Sequence, residues 1–317
     1  MPPPRPTVGR LAPSPTGALH LGHARTFLIA WLAARDAGGR VVLRIEDLDA
    51  TRARPEAVAG GIEDLAWLGL DWDEGPYVQS ERIEGYLRSL GRLIASDRVY
   101  PCTCTRGDLA RAASAPHAGE EGPSYPGTCA RRSAADARTL GDRPFAWRFR
   151  VPQGRIRWDD LVRGATGDEP SLIGGDFVVA RSSGVISYQL AAVHDDAALG
   201  VTQVIRGADL VPSTPRQILL YRALGWAEPA FGHVPLAVGP DGRRLAKRDG
   251  SIKIAAVREA GVDPRRFVGW LARACGWSSV VEPSRPGDWI GRFDLAKVPE
   301  GPWSVDPQGV AARIAEG

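Results

Sequence analysis

The stretch Arg10-Leu-Ala-Pro-Ser-Pro-Thr-Gly-Ala-Leu-His-Leu-Gly-His-Ala-Arg25 constrains this chain most, because it cannot be one regular element. Pro13-Ser-Pro-Thr-Gly17 is too rich in proline and glycine to continue a strand or a helix. Before it, Thr7 to Ala12 is a short apolar segment. After it, Ala24 to Arg35 carries Phe27, Leu28, Trp31 and Leu32 at helical spacing. His20 and His23, two of only five histidines, therefore fall where a loop becomes a helix N-terminus. Free backbone N–H groups and the positive end of the helix dipole favour a phosphate there.

The next run, Arg40-Val-Val-Leu-Arg-Ile-Glu-Asp47, alternates Val41, Leu43 and Ile45 and ends in acids. Strand, helix, strand is the pattern of a βαβ unit in a parallel sheet, whose ligands lie beyond the carboxyl ends of the strands. Glu46 and the Pro13–His23 loop then share one rim. Pro55 to Leu70 and Ser80 to Ser96 read as helices, with Asp71, Asp73 and Glu74 between them in a solvated turn without chemistry.

The 317 residues suffice for two or three compact units. A net charge of +3 means that any nucleic-acid surface must be local. There is no apolar run long enough to cross a bilayer and Met1-Pro-Pro-Pro-Arg-Pro6 is no signal peptide, so the expected location is cytoplasmic, with no membrane partner. In such a chain the clustered Cys102, Cys104 and Cys129 suggest metal more than disulfide. Three thiolates are one short of a closed tetrahedral zinc site; Tyr125, His117 or a water are the options for the fourth position. Three small buried cysteines under a loop are the plainer alternative. A zinc here, one per chain, would be structural, pinning an insert without its own core.

From Arg131 to Arg163 nine arginines face four acids, interleaved with Trp147, Phe149 and Trp158. That composition suits an RNA-contacting surface, and equally the amphipathic strands of a small sheet. Downstream, Val201-Thr-Gln-Val-Ile-Arg206 is an apolar strand ending in arginine, as the earlier one ends at Glu46. A second half-sheet would bring Arg206, Tyr188 and Arg10 to the rim of Glu46. One acid and two guanidinium forks fit an amino acid with an acidic side chain. Of 40 basic residues only Lys247, Lys253 and Lys297 are lysines. The first lies in Asp241-Gly-Arg-Arg-Leu-Ala-Lys-Arg-Asp-Gly250, which suggests a task for a compact ammonium, although codon bias alone would scatter three lysines.

Taken together, Arg10–His23, Arg44-Ile-Glu-Asp-Leu-Asp49, Leu68–Glu74, Arg206-Gly-Ala-Asp-Leu210, Pro215–Tyr221 and Arg244-Leu-Ala-Lys-Arg248 resemble, in order, the blocks of class I aminoacyl-tRNA synthetases in their glutamyl form. The resemblance runs to about residue 255 and implies an α/β, Rossmann-type catalytic domain with a zinc-bearing insert and a short, mainly helical C-terminal piece. The implied division is 1–98 and 185–255 for the catalytic halves, 99–184 for a tRNA-contacting insert, and 256–317 for the end-piece. Only 70 residues follow Lys247, too few for a large anticodon-binding region. The chain is thus most similar to the short paralogous branch, the glutamyl-queuosine tRNA(Asp) synthetases.

That branch implies activation of L-glutamate by ATP without tRNA and transfer to the queuosine of tRNA(Asp), by a monomer using Mg²⁺ with ATP. It implies His20, Gly22, His23 and Lys247 for ATP, with both histidines and the lysine catalytic. Arg10, Ala12, Ser14, Glu46, Tyr188 and Arg206 are implied for glutamate, and Cys102, Cys104, Tyr125 and Cys129 for zinc. Arg244 and Ala246 depart from the usual Lys-x-Ser-Lys pattern, removing a hydroxyl donor but keeping Lys247. A glutamyl-tRNA synthetase charging the acceptor end of tRNA(Glu), or an inactive tRNA-binding paralog, are the rival readings.

Overall fold

A computed structural model describes residues 5–105, 107–109, 125–170, 174–243, 252–306, 310 and 314. Strand β1 (Val8–Leu11) leads through the proline-rich loop into helix α1 (Leu21–Asp36), then β2 (Arg40–Ile45), α2 (Pro55–Trp67) and β3 (Glu74–Val78). The three strands are parallel in the order β3-β2-β1. Glu74 opens a strand instead of closing the expected turn. Asp71 and Asp73 both bind Arg35, at 2.8 and 2.7 Å.

A 3₁₀ turn (Gln79–Arg82) and helix α3 (Ile83–Ala95) lead to a small antiparallel sheet of β4 (Val99–Cys102), β5 (Ala146–Phe149) and β8 (Phe177–Arg181). Between the last two, β6 (Ile156–Asp160) and β7 (Gly164–Asp168) form a ribbon. The chain returns through α4 (Tyr188–Ala198) to β9 (Gln203–Gly207), α5 (Thr214–Leu224) and β10 (Ala230–Val234), with β9 and β10 parallel.

The two parallel sheets meet along β1 and β9. The Thr202 N–H donates to the Val8 carbonyl at 2.9 Å, and the Thr202 hydroxyl accepts from the Val8 N–H at 2.9 Å. After β1 the chain builds outward on one side, and after β9 on the other. The crevice beyond their carboxyl ends is therefore a topological switch point, the usual ligand position in such sheets. Helix α1 lies close to β1: a Cβ on Gly9 would sit 2.8 Å from the Ala34 methyl carbon, so glycine is what permits the approach.

After β11 (Ala237–Val238) come α6 (Ile254–Glu259), α7 (Pro264–Ala274) and β12 (Trp303–Ser304), which pairs with β11. Phe267, Leu271 and Trp289 are fully buried in the same core as Leu28 and Leu32 of α1. The end-piece thus shares the core of the first half-sheet. Among the described residues no helix is long and apolar enough to cross a membrane.

Candidate active site

A cleft of about 630 Å³ opens at the switch point. It is lined by Arg10, Ala12, Ser14, His20, Gly22, His23, Glu46, Tyr188 and Arg206. The structure brings these nine residues together from four parts of the chain: 10–23, 46, 188 and 206. Arg244, Ala246 and Lys247, like His117, lie outside the described residues.

At one end, charges are set against one another in the dry interior. Arg44, fully buried on β2, donates from Nη1 to Asp196 Oδ1 (2.6 Å) and from Nη2 to Glu46 Oε1 (2.9 Å). The second Glu46 oxygen accepts from the Ser14 hydroxyl at 3.2 Å. Although burial works against its charge, the Asp196 and Glu46 carboxylates hold the Arg44 guanidinium well above its ordinary proton affinity. Arg10 donates from Nη1 to the Ile205 carbonyl (2.9 Å), with Nε 3.7 Å from Asp196. Burial, reinforced by Glu46, pushes the Tyr188 phenol up, so it stays a neutral donor.

Arg206 is also buried, but its hydrogen-bond partners among the described residues are neutral. Nη1 donates to Gln217 Oε1 (2.7 Å), Nη2 to the Thr214 hydroxyl (2.9 Å), and Nε to His233 Nε2 (3.1 Å). Burial, and the charge of Arg10, lower its proton affinity, yet a guanidinium stays charged. This end of the cleft therefore holds a guanidinium with no carboxylate among its hydrogen-bond partners in the described residues.

At the other end His20 precedes α1 and His23 lies in its first turn; their rings stack with centroids 3.7 Å apart. The His20 N–H donates to His23 Nδ1 at 3.2 Å. The α1 N-terminus is held by residues 252–254: Leu21 N–H donates to the Ile252 carbonyl (3.2 Å) and Ile254 N–H to the Leu19 carbonyl (3.0 Å). A Cβ on Gly22 would meet the His20 ring at 3.1 Å and the Ala237 methyl at 3.6 Å, so the bare backbone keeps that wall open. Arg25 and Trp303 complete it, the guanidinium 5.4 Å from the indole centroid.

In the insert, the sulfurs of Cys102, Cys104 and Cys129 all lie within 4.8 Å of one another, and this cluster could hold a metal ion. The Cys104 and Cys129 sulfurs are 3.8 Å apart. That separation is the edge of a tetrahedron with metal–sulfur bonds of about 2.3 Å. The Tyr125 hydroxyl lies 3.4 Å from the Cys102 sulfur and accepts from the Cys129 N–H at 2.7 Å. The three sulfurs therefore fit three corners of a tetrahedral thiolate site, with the Tyr125 hydroxyl against one of them.

The arginine-rich segment divides between the interior and the surface, as amphipathic strands of a small sheet do. Trp147 and Phe149 are core, Arg148 lies over the Tyr125 ring, and Arg150 lies over Tyr100 while donating to the Ala130 and Arg132 carbonyls. Arg131, Arg138, Arg143, Arg155, Arg157 and Arg163 remain exposed. Sequence reasoning missed Arg44, Asp196, Asp160 and His233 as site-building groups. One signal was available: a strand buried on both faces, as parallel strands are, cannot hold an arginine without a buried acid.

Residues 7–304 match the family described as tRNA synthetases class I (E and Q), catalytic domain. The chain belongs to this family. It is 53% identical to the glutamyl-Q tRNA(Asp) synthetase of Symbiobacterium thermophilum, across 96% of this chain and 97% of that protein. Against the glutamate–tRNA ligase of Geobacter sulfurreducens the identity is 46%, covering 85% of this chain but only 57% of the ligase. A crystal structure of a glutamate tRNA ligase from Elizabethkingia meningosepticum, in complex with its amino acid, superimposes with a TM-score of 0.84 at 28% identity. It covers 98% of this chain and 69% of that one. Family membership brings ATP, an amino acid and tRNA as the reactants.

Proposed function

We propose that this class I synthetase activates L-glutamate with ATP, without tRNA, and transfers the glutamyl group to the queuosine of tRNA(Asp). The observation that carries this is similarity: the chain is 53% identical to a glutamyl-Q tRNA(Asp) synthetase over 96% of its own residues, against 46% over 85% for a glutamate–tRNA ligase.

In the first step a glutamate α-carboxylate oxygen bonds to the α-phosphorus of ATP, the bond to the bridging oxygen breaks, and pyrophosphate leaves. His20 and His23, at the positive end of α1, are donors for the developing phosphate charge. Gly22 admits the nucleotide close to the backbone, and Lys247 holds the β- and γ-phosphates. Arg10 and Arg206 take the side-chain carboxylate, Glu46 the ammonium, and Ser14, Tyr188 and the backbone at Ala12 complete the pocket. Mg²⁺ enters with ATP, held mainly by the phosphates. In the second step the glutamyl carbonyl passes to queuosine and AMP leaves. The insert, 99–184, meets the anticodon stem; residues 1–98 and 185–255 supply the catalytic halves, with 256–317 as the end-piece. The enzyme works as a monomer in the cytoplasm. Cys102, Cys104, Cys129 and Tyr125 would hold one structural zinc, which would stiffen the insert.

Charging with labelled glutamate tests the reading. Label is expected on tRNA(Asp) carrying queuosine and neither on tRNA(Asp) lacking it nor on tRNA(Glu), and pyrophosphate exchange is expected without any tRNA. Label on tRNA(Glu), or exchange that requires tRNA, would overturn it. Elemental analysis is expected to find about one zinc per chain. Cys129→Ser should lose the metal and lower transfer to tRNA while leaving tRNA-free exchange nearly intact.

A further inference from the structure

Behind Arg206 lies a buried relay that the glutamate-binding set does not include. His233 on β10 is fully buried, and its Nε2 accepts from Arg206 Nε at 3.1 Å, with the Thr214 hydroxyl 3.0 Å away. Its Nδ1 faces Asp160 Oδ2 at 2.5 Å. Asp160 ends β6 of the insert, and its other oxygen, Oδ1, accepts from the backbone N–H groups of His233 (3.0 Å), Val162 (3.0 Å) and Arg163 (3.1 Å). The Leu161 N–H donates to the Phe231 carbonyl at 2.8 Å, fastening the β6 end to β10. The relay thus crosses from the insert into the catalytic sheet.

Its chemistry runs one way. Arg206 has only N–H donors, so the imidazole atom facing it must be an acceptor. That requires the His233 tautomer with its proton on Nδ1, and a carboxylate facing Nδ1 selects that tautomer. Burial alone would raise the Asp160 carboxyl, but the hydrogen bonds from His233 hold it down at about 2. Burial, with the charges of Arg206 and Arg163, lowers the His233 proton affinity, so the ring stays neutral.

We propose that Asp160 and His233 are positioning residues for amino-acid recognition. They fix the Arg206 guanidinium through a neutral acceptor, so that its full positive charge is left for the ligand's side-chain carboxylate. A carboxylate in direct contact with Arg206 would spend that charge inside the protein. The proposal rests on the assignment of Arg206 to glutamate.

Pyrophosphate exchange on the full chain, with glutamate and ATP varied separately, tests it. In Asp160→Asn the tautomer is no longer selected, and in His233→Leu the acceptor is gone. Each is expected to raise the glutamate KM roughly 10-fold or more, the scale of an orphaned buried hydrogen-bonding group, with the ATP KM changed by less than about twofold. His233→Gln, whose carboxamide can accept from Arg206 and donate to Asp160, is expected to recover most of the loss. A glutamate KM unmoved in both variants, or equal rises in both KM values, would overturn the proposal. Should His233→Leu fail to fold, Asp160→Asn and His233→Gln decide. Arg206→Ala measured alongside separates the two readings. An unchanged glutamate KM there removes the assignment of Arg206 itself, whereas a raised one with Asp160→Asn silent removes only the relay.

Discussion

The two ends of the cleft are built differently. The end holding Arg10, Glu46 and Arg206 is a lattice of buried ions, each turned by another: Arg44 aims Glu46, Asp196 anchors Arg44, and His233 braces Arg206. The end holding His20, Gly22 and His23 is stacked rings, a helix N-terminus and bare backbone. A small zwitterion with a third charge can be told from its neighbours only by charges fixed before it arrives, because mobile ones would solvate any polar ligand equally. A triphosphate brings its own charge and counter-ion, so donors distributed along a helix end suffice.

The sharpest way to break this contrast is to remove an ion that touches no ligand. Arg44→Met removes the cation that Glu46 and Asp196 share, leaving Asp196 only the longer pair with Arg10 at 3.7 Å. Breaking such a buried set costs about 3–5 kcal/mol. Chemical denaturation should show a loss of that size. A loss below about 1 kcal/mol would mean the lattice is decoration.

Arg206→Ala comes next and acts on function more than on folding. Losing a desolvated partner for a carboxylate is worth about 2–5 kcal/mol, so exchange at low glutamate should fall roughly 10²-fold or more. The deficit is expected in the glutamate KM and not in the ATP KM. Lys247→Ala probes the proposed ATP contact. About a 10²-fold drop in kcat for exchange is expected, with the glutamate KM and the melting temperature barely moved, as for a donor felt chiefly in the transition state. Equal effects of both variants on both substrates would erase the distinction between the ends.

How far this could be read from the sequence follows the same division. The βαβ opening, the helix start at the histidines and the strand ending at Arg206 are local patterns: proline-glycine punctuation, alternation and helical spacing. The rim that joins Arg10, Glu46, Tyr188 and Arg206 follows from the rule that ligands gather beyond the carboxyl ends of parallel strands. The groups behind the rim were not legible. Asp196 meets Arg44 across 152 positions and His233 meets Asp160 across 73. No spacing rule links residues brought together only by the crossing of the insert and two half-sheets. Nor does composition say which guanidiniums of the arginine-rich segment lie over tyrosine rings, as Arg148 and Arg150 do, and which face solvent.

The smallest effect tests whether burial of charge is favourable away from the cleft. Asp64, on α2, is buried, yet its partner Arg258 stands 3.7 Å from Oδ1 and also serves Glu63. Burial raises the Asp64 carboxyl to about 6, only partly offset by Arg258. Because the folded protein holds this proton more tightly than the unfolded chain, stability is greatest below the ordinary carboxylate range and falls as pH rises from about 4 to about 6. At neutral pH the ionised carboxylate is thus a cost to the fold. Asp64→Asn removes that cost and should stabilise the protein by on the order of 1 kcal/mol at about pH 7.5, with no gain at about pH 4, where the wild-type carboxyl is already protonated. Thermal denaturation at the two pH values checks the sign. Destabilisation at both would show that the Arg258 pair, loose as it is, outweighs the desolvation of Asp64.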